Sequence, residues 1–465
     1  MYSLIMVAFW RTFFENKDRV FLLKVSGLTL FWYLAMFPGR LGYDYALAIR
    51  MIQNGESTNW WTGIYFWFLR LSTFYGRSIF VASLLGLLAI TYALWYFLSS
   101  LINNEKVLRK SFLITLCFPI VGVFGVTVSH DVFQSAGILI FLGLIWRVKS
   151  NPSYSSKNLF HYFLASVFLI TTQTGIYTVG LAALIAFFTV YRRRAFVSFI
   201  SILLLSLLGN VGIGESIIKH PTINILLADL KCVTQHPEAE ITEFDWKQFE
   251  KIAPKDKWLT PLTCSDAGAQ IYALGVEDKE LNFSRDFLKA YLSTASRNPA
   301  IVMQAHLQRS LGALPPPFFQ GPENQVDRNI QNPVGLGTNT ALQLGPEILH
   351  PSIDEPSVAH KISILKPLEV IAQAPTFLVN QASWFWGWGG LWFYPILIYY
   401  LYFLKIRRVR VLLITLFPTI LLHGSYVVVG PGPLGRYYLS TIIAGLGLLI
   451  TMIVTSLITY RDKSL

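Results

Sequence analysis

The sequence predicts an all-α polytopic membrane protein of about ten transmembrane helices, with a small, mostly helical extracytoplasmic domain. Three observations predict this fold class. Apolar stretches of about 17 to 25 residues, the length that a bilayer-spanning helix needs, recur along the chain. The composition is 53% hydrophobic and 14% charged, with a mean hydropathy of +0.48. Finally, short clusters of Lys and Arg alternate with the apolar stretches, as they do in multi-pass proteins.

The net charge of +12 at pH 7 does not indicate a nucleic-acid partner. The cationic residues are dispersed in short clusters between the apolar stretches and form no continuous basic face. Under the positive-inside rule, every second segment between spans is cytoplasmic, and both termini are as well. The expected spans are roughly 20–37, 78–101, 111–128, 132–147, 159–172, 176–190, 195–213, 384–404, 411–429 and 437–459.

Two segments allow more than one interpretation. The stretches 159–172 and 176–190 could form one long helix, but Lys157 and the run Arg192 to Arg194 would then lie on opposite sides of the membrane. We therefore expect two spans. The first residues, Met1 to Phe14, are apolar but too short to span, and we expect a helix on the cytoplasmic surface.

Three regions follow from this topology. Residues 1–213 form an N-terminal transmembrane module with a first outer loop at 38–76, residues 214–383 form an extracytoplasmic domain with an irregular loop, and residues 384–465 form the C-terminal helices. Cys232 and Cys264 both fall in the extracytoplasmic domain, where a disulfide between them is plausible. Two unrelated thiols are the alternative.

The first candidate site residue is Asp44, which follows the first span between Tyr43 and Tyr45. A carboxylate partly desolvated by these rings can act as a general base towards a hydroxyl or amine. The alternative is a helix cap at the start of a helix Tyr45–Ile52. Tyr65 and the tryptophans around it are most simply an aromatic belt at the membrane interface.

Three further outer turns carry polar residues against the bilayer. His130 and Asp131 form one, although they could merely cap the helix that follows. Gln173 lies in a neutral turn that helix-end hydrogen bonding would explain. Arg436 follows a glycine-rich turn and offers a planar fork suited to phosphate. A snorkelling interfacial arginine is the alternative there.

At these positions the chain resembles the GT-C superfamily of membrane glycosyltransferases, which includes protein mannosyltransferases and the aminoarabinose transferases of lipid A. The resemblance rests on an acid that opens the first outer loop, a second acid in the next outer turn, many further spans and a late outer domain. By this resemblance, Asp44 matches the first acid and Asp131 the second. Many members carry paired acids in the first loop or a Lys-Asp in the second turn, whereas here Asp44 stands alone and His130 precedes Asp131.

The resemblance implies transfer of one sugar from a polyprenyl-phosphate donor to a lipid or glycan acceptor on the outer face. Asp44 would be the general base, Arg436, Arg40 and Tyr437 would bind the donor and its phosphate, and His130, Asp131 and Gln173 would orient the substrates. No cofactor is expected. A divalent metal is not favoured, because it usually needs more than one carboxylate.

Two other function classes remain open. An O-antigen-type polymerase uses arginines of a large outer loop, for which this chain has Arg285, Arg297, Arg309 and Arg328. A transporter or flippase for lipid-linked sugars would have a similar number of spans, but tends to carry charges within them or a broken helix near the midplane. We expect an integral protein of a bacterial inner membrane, with the endoplasmic reticulum as the alternative.

Overall fold

The computed structural model of the protein describes the backbone of thirteen stretches of the chain. These are residues 18–41, 43–55, 62–150, 156–171, 221–260, 264, 273–275, 285–310, 365, 367–368, 370–372, 389–429 and 438–463. Within them the chain is mostly helical, with two very short strands. The predicted surface helix at Met1 to Phe14 and the predicted spans 176–190 and 195–213 lie outside the described residues.

The N-terminal module contains eight helices and both strands among the described residues. In chain order they are α1 (Arg19–Ala35), β1 (Arg40–Leu41), α2 (Tyr43–Gln53), α3 (Gly63–Ser72), α4 (Phe80–Leu101), α5 (Glu105–Cys117), α6 (Pro119–Gly125), β2 (Thr127–Val128), α7 (His130–Ser150) and α8 (Ser156–Leu169).

Two further groups of helices follow. The first, here called the 221–310 unit, contains α9 (Pro221–Gln235), α10 (Glu243–Phe249), α11 (Lys255–Leu259), α12 (Arg285–Arg297) and α13 (Pro299–Ser310). The second contains α14 (Gly389–Ile398), a π-helical turn (Tyr399–Phe403), α15 (Val409–Val429) and α16 (Leu439–Lys463).

Four helices of the described chain are long and apolar enough to cross a membrane. They are Phe80–Leu101, His130–Ser150, Val409–Val427 and Leu439–Tyr460, and a fifth crossing is added if the bent pair α5 and α6 counts as one span. These helices are compatible with a multi-pass membrane protein, but ten spans are not shown. Among the described residues, three predicted spans correspond to shorter helices, since α1 has 17 residues, α8 has 14 and α14 has 10.

The predicted span 111–128 is not one straight helix. It is divided into α5 and α6, which are bent by 65° relative to each other. Phe118 between them is extended, with φ −70° and ψ 134°, because the ring of a following proline disfavours helical geometry in the residue before it. Pro119 then begins α6, a position where its missing N–H costs little. The prediction of a continuous span was therefore wrong at Phe118.

Close helix packing stabilises this break. The Trp32 indole of α1 donates a hydrogen bond to the Leu116 carbonyl at 2.9 Å, a group close to the broken end of α5. A side chain at Gly122 would overlap the Trp32 ring, because its Cβ would lie 2.0 Å from a ring carbon. At the interface with α4, a Cβ at Gly86 would lie 2.8 Å from the Gly125 carbonyl oxygen. These glycines therefore allow α6 to lie directly against its neighbours.

The chain that leaves α6 pairs with the chain that leaves α1. Strands β1 and β2 are parallel, with Arg40 opposite Thr127 and Leu41 opposite Val128. The turn before β1 depends on Gly39, whose φ of +129° is rarely adopted by other residues. Its absent side chain also leaves room for Ser83 of α4. The ladder fixes the two loops side by side where α2 and α7 begin.

The opposite end of the bundle holds two of the basic clusters. Arg109 of α5 forms an ion pair with Asp18, the residue that caps α1. Arg147 of α7 donates to the hydroxyls of Ser100 at 2.7 Å and Ser99 at 2.9 Å, near the end of α4. Both clusters therefore lie at the end of the bundle away from the strand ladder.

The 221–310 unit has a hydrophobic core separate from that of the main helical bundle. Its centre is formed by Leu227, Phe249, Trp258 and Phe287. Cys232 and Cys264 are joined by a disulfide, with their Cα atoms 5.6 Å apart. Because this bond links α9 to a residue 32 positions further along the chain, it limits the freedom of the unfolded unit.

A buried ion pair also holds this unit together. Arg309 of α13 contacts Asp229 of α9, and its other terminal nitrogen donates to the Cys264 carbonyl at 3.3 Å. Arg309 is fully buried, and burial lowers its pKa to about 10, which leaves it charged at neutral pH. The pair therefore joins three segments of the unit.

The unit docks on the end of α15. The His306 ring contacts the Val427 carbonyl at 2.7 Å, and the Ser310 hydroxyl donates to the same carbonyl at 3.1 Å. The last carbonyls of a helix lack partners within the helix, so α13 satisfies a group that would otherwise need water. This contact lies three residues before the glycine-rich turn at 430–436, which is outside the described residues.

Candidate functional site

Asp44 lies in the first turn of α2, three residues after the end of β1. Its side chain lies outside the described residues. The helix begins at Tyr43, so Asp44 is inside the helix and does not precede it as the capping alternative requires. An acidic residue in a first turn is also favoured by the helix dipole. The backbone therefore places Asp44 in the same turn as Tyr45, whose side chain contacts the second loop.

His130 and Asp131 form the first turn of α7, directly after β2. Asp131 is 1% exposed. The capping contact is made by Ser129, whose hydroxyl oxygen accepts from the Asp131 backbone N–H at 3.0 Å. The capping explanation therefore applies to Ser129, and the Asp131 carboxylate accepts a hydrogen bond from the Ser129 hydroxyl at 2.9 Å.

Tyr45 connects the two loops. Its hydroxyl lies 2.6 Å from His130 Nδ1, 2.9 Å from Ser129 Oγ and 3.4 Å from Asp131 Oδ2. Ser129 Oγ is also 2.9 Å from Asp131 Oδ2. Because Tyr45 follows Asp44 in the same helical turn, this network attaches the Asp44 backbone to the second loop through side chains as well as through the strand ladder.

The His130 ring completes the network. Its Nε2 lies 3.5 Å from Asp131 Oδ1, and the side chain remains 23% exposed. It is therefore the member of the network with the greatest access to solvent; Asp131, Ser129 and Tyr45 are all buried.

Tyr65 of α3 packs behind this network. Its ring lies edge-on to those of Tyr45 and His130, with centroids 6.1 and 5.5 Å away. The prediction of an interfacial aromatic belt was wrong for Tyr65, because it has no exposed surface. Burial and the nearby Asp131 carboxylate raise the pKa of its phenol well above 10. In the described part of the chain its hydroxyl has no hydrogen-bond partner.

Arg40 lies on β1 beside the site and is 2% exposed. Burial lowers the pKa of its guanidinium to about 10, so the group remains a cation at neutral pH. Its backbone N–H donates to the Val126 carbonyl at 3.1 Å. A role for Arg40 in phosphate binding stays a prediction, and it requires the phosphate to reach a buried group.

The other predicted site residues, Gln173, Arg436 and Tyr437, lie outside the described residues. The structure places the chain before Gln173 close to the site, since the Thr62 hydroxyl at the start of α3 donates to the Thr171 carbonyl at 3.0 Å. The geometry thus brings together Arg40, His130, Asp131 and the backbone of Asp44.

Sequence reasoning did not identify Tyr45 and Ser129 as members of this network. Tyr45 was expected to desolvate Asp44, and Ser129 to belong to a polar turn. Adjacency was the available signal, because each residue is the immediate neighbour of a predicted site residue. What the sequence could not show is that β1 and β2 pair, since a two-residue ladder has no periodicity to detect.

Among the residues that the structure describes, no group of three His, Cys, Asp or Glu side chains could hold a metal ion. Comparisons with protein-family models, curated proteins and solved structures found no match. The functional conclusion therefore depends on the chemistry of the site itself.

Proposed function

We propose that this protein is a membrane glycosyltransferase that moves a sugar from a polyprenyl-phosphate donor to a lipid or glycan acceptor on the extracytoplasmic face. The observation that carries the proposal is the pairing of β1 with β2. It brings the loop with Asp44 against the loop with His130 and Asp131, although about 86 residues separate them. A buried acid in a polar network at a helix start is costly, and such groups tend to mark function in membrane proteins.

The proposed reaction assigns one role to each group. The Asp44 carboxylate takes the proton of the acceptor hydroxyl, and the acceptor oxygen forms a bond to C1 of the sugar. The bond between C1 and the phosphate oxygen breaks, and polyprenyl phosphate leaves with the bonding electrons. Arg436, assisted by Tyr437 and Arg40, stabilises the charge on the departing phosphate. His130, Asp131 and Gln173 orient the substrates.

The proposal includes the finer topology. About ten helices cross a bacterial inner membrane, both termini are cytoplasmic, and the 221–310 unit lies outside. The position of this unit on α15 supports the arrangement, because α13 contacts the helix end that precedes the turn with Arg436.

One observation weakens the polymerase alternative. Two of its four candidate arginines are already in ion pairs with buried carboxylates, Arg297 with Asp245 and Arg309 with Asp229. These arginines stabilise the 221–310 unit, which leaves less positive charge for a substrate. Arg285 is exposed and Arg328 lies outside the described residues.

Purified protein in proteoliposomes tests the proposal. A panel of polyprenyl-phosphate sugars is supplied together with an extract of envelope lipids and glycans as acceptors, and both free polyprenyl phosphate and transferred sugar are measured. We expect the two products to form in equal amounts and only with protein present. Movement of intact donor across the bilayer without cleavage would indicate a flippase and contradict the proposal, as would growth of a repeating polymer.

A further inference from the structure

We infer that Tyr45 is a positioning residue of the proposed site, which holds the Asp44 turn at a fixed place relative to Asp131. This inference rests on the proposed function and deepens it, because it assigns a role to a residue that carries no chemistry itself. The position of the Tyr45 hydroxyl depends on which group donates each hydrogen bond around it.

Among the described residues, three polar groups lie within hydrogen-bond distance of the Tyr45 hydroxyl, which has one proton. Ser129 also has one hydroxyl proton, and the Asp131 carboxylate at 2.9 Å is a stronger acceptor for it than a phenol oxygen. The Tyr45 proton then points to His130 Nδ1 at 2.6 Å, the shortest of its three contacts. This assignment makes Nδ1 an acceptor and leaves the ring proton on Nε2.

The resulting tautomer fits the other side of the ring. Nε2 lies 3.5 Å from Asp131 Oδ1, close enough for a ring proton on Nε2 to interact electrostatically with the carboxylate. Contacts therefore run from Asp131 through His130 to Tyr45. Ser129 lies 2.9 Å from both Asp131 Oδ2 and the Tyr45 hydroxyl. Tyr45 is 1% exposed, so these partners, rather than water, determine where its hydroxyl lies.

The consequence concerns Asp44. It shares the first turn of α2 with Tyr45, and the two residues are consecutive in the backbone. A helical turn moves as a unit, so fixing the Tyr45 ring and hydroxyl also fixes the Cα of Asp44. Catalysis by a general base depends steeply on the distance from the base to the proton it takes, since small misplacements of reacting groups lower the rate strongly.

The test compares Tyr45→Phe with Tyr65→Phe in the full-length protein. Both changes remove one phenol oxygen from neighbouring buried rings, but the Tyr65 oxygen has no hydrogen-bond partner among the described residues. We expect Tyr45→Phe to lower kcat about tenfold, because the Asp44 turn is then held less firmly and a misplaced base reacts more slowly. Its donor KM should change by less than about twofold, and Tyr65→Phe should keep the wild-type kcat.

A second readout does not need turnover. Protein labelled with ¹⁵N-histidine is compared by NMR, and the His130 signals are identified through their loss in His130→Gln. In the wild type we expect a protonated Nε2 and an unprotonated Nδ1. Tyr45→Phe should mix the two tautomers, whereas Tyr65→Phe should leave them as they are.

Thermal unfolding in the same detergent checks that the variants fold. If Tyr45→Phe unfolds early, the wild-type spectrum decides, because a protonated Nδ1 of His130 could not accept from the Tyr45 hydroxyl and would overturn the inference. Wild-type kcat in a folded Tyr45→Phe protein would also overturn it, and so would an unchanged His130 tautomer in that variant. If the wild type transfers no sugar at all, the proposed function fails, and the tautomer alone then decides whether Tyr45 holds the second loop.

Discussion

Asp44→Asn is expected to lower kcat for sugar transfer by about 10² to 10⁴-fold, the range typical of losing a general base. The amide keeps the size and shape of the carboxylate but cannot accept the acceptor proton at neutral pH. Donor binding should be retained, because the proposed contacts to the phosphate come from arginines. The measurement is the turnover of a polyprenyl-phosphate sugar by purified variant, together with the donor dissociation constant.

A matched control is available in the same protein. Asp286→Asn removes an exposed carboxylate of α12, which forms a 3.8 Å pair with Lys289 and lies in the 221–310 unit. It makes the same chemical change at a surface position, and we expect wild-type turnover. Turnover by Asp44→Asn equal to that of the control would remove the assignment of Asp44 as the base.

Arg309→Met is expected to destabilise the 221–310 unit by about 3 to 5 kcal/mol, the usual cost of removing one partner of a buried ion pair. The change leaves the Asp229 carboxylate buried without its cation and removes the link to the Cys264 carbonyl. Amide hydrogen exchange of α9 and α13, followed by mass spectrometry, measures the local opening free energy.

Two variants make this experiment specific. Lys289→Met breaks the exposed pair with Asp286 in the same unit and should cost only about 0 to 1 kcal/mol. The double variant Arg309→Met with Asp229→Leu removes both buried charges and should recover most of the lost stability. Equal protection in Arg309→Met and Lys289→Met would show that the buried pair is not what holds α9 to α13.

Much of the helical fold follows from the sequence because long apolar stretches have one main solution in a bilayer. The helices Phe80–Leu101 and Leu439–Lys463 fall close to the predicted spans 78–101 and 437–459. The break at Phe118 was also available in principle, since it precedes a proline. It was missed because the apolar stretch continues on both sides of that proline, so hydropathy alone reads it as one span.

The candidate site was predictable residue by residue but not as an assembly. Asp44, His130 and Asp131 were recognisable as polar groups at the ends of apolar stretches. Their proximity depends on Gly86, Gly122 and Gly125, which let α6 approach its neighbours closely enough for β2 to reach β1. Close approach of helices depends on three-dimensional shape, and a single sequence does not display it.

Labelling of Asp44→Cys in intact cells tests the proposed outer site most directly. The variant is made with Cys117→Ser, which removes the free thiol that the structure describes. We expect an impermeant maleimide to modify position 44 from outside, and a polyprenyl-phosphate sugar to slow the reaction. Ser296→Cys, exposed on α12, should label from outside without protection, and Lys110→Cys should label only after permeabilisation. Labelling of position 44 only in permeabilised cells, or at a rate that no donor changes, would contradict an external donor site.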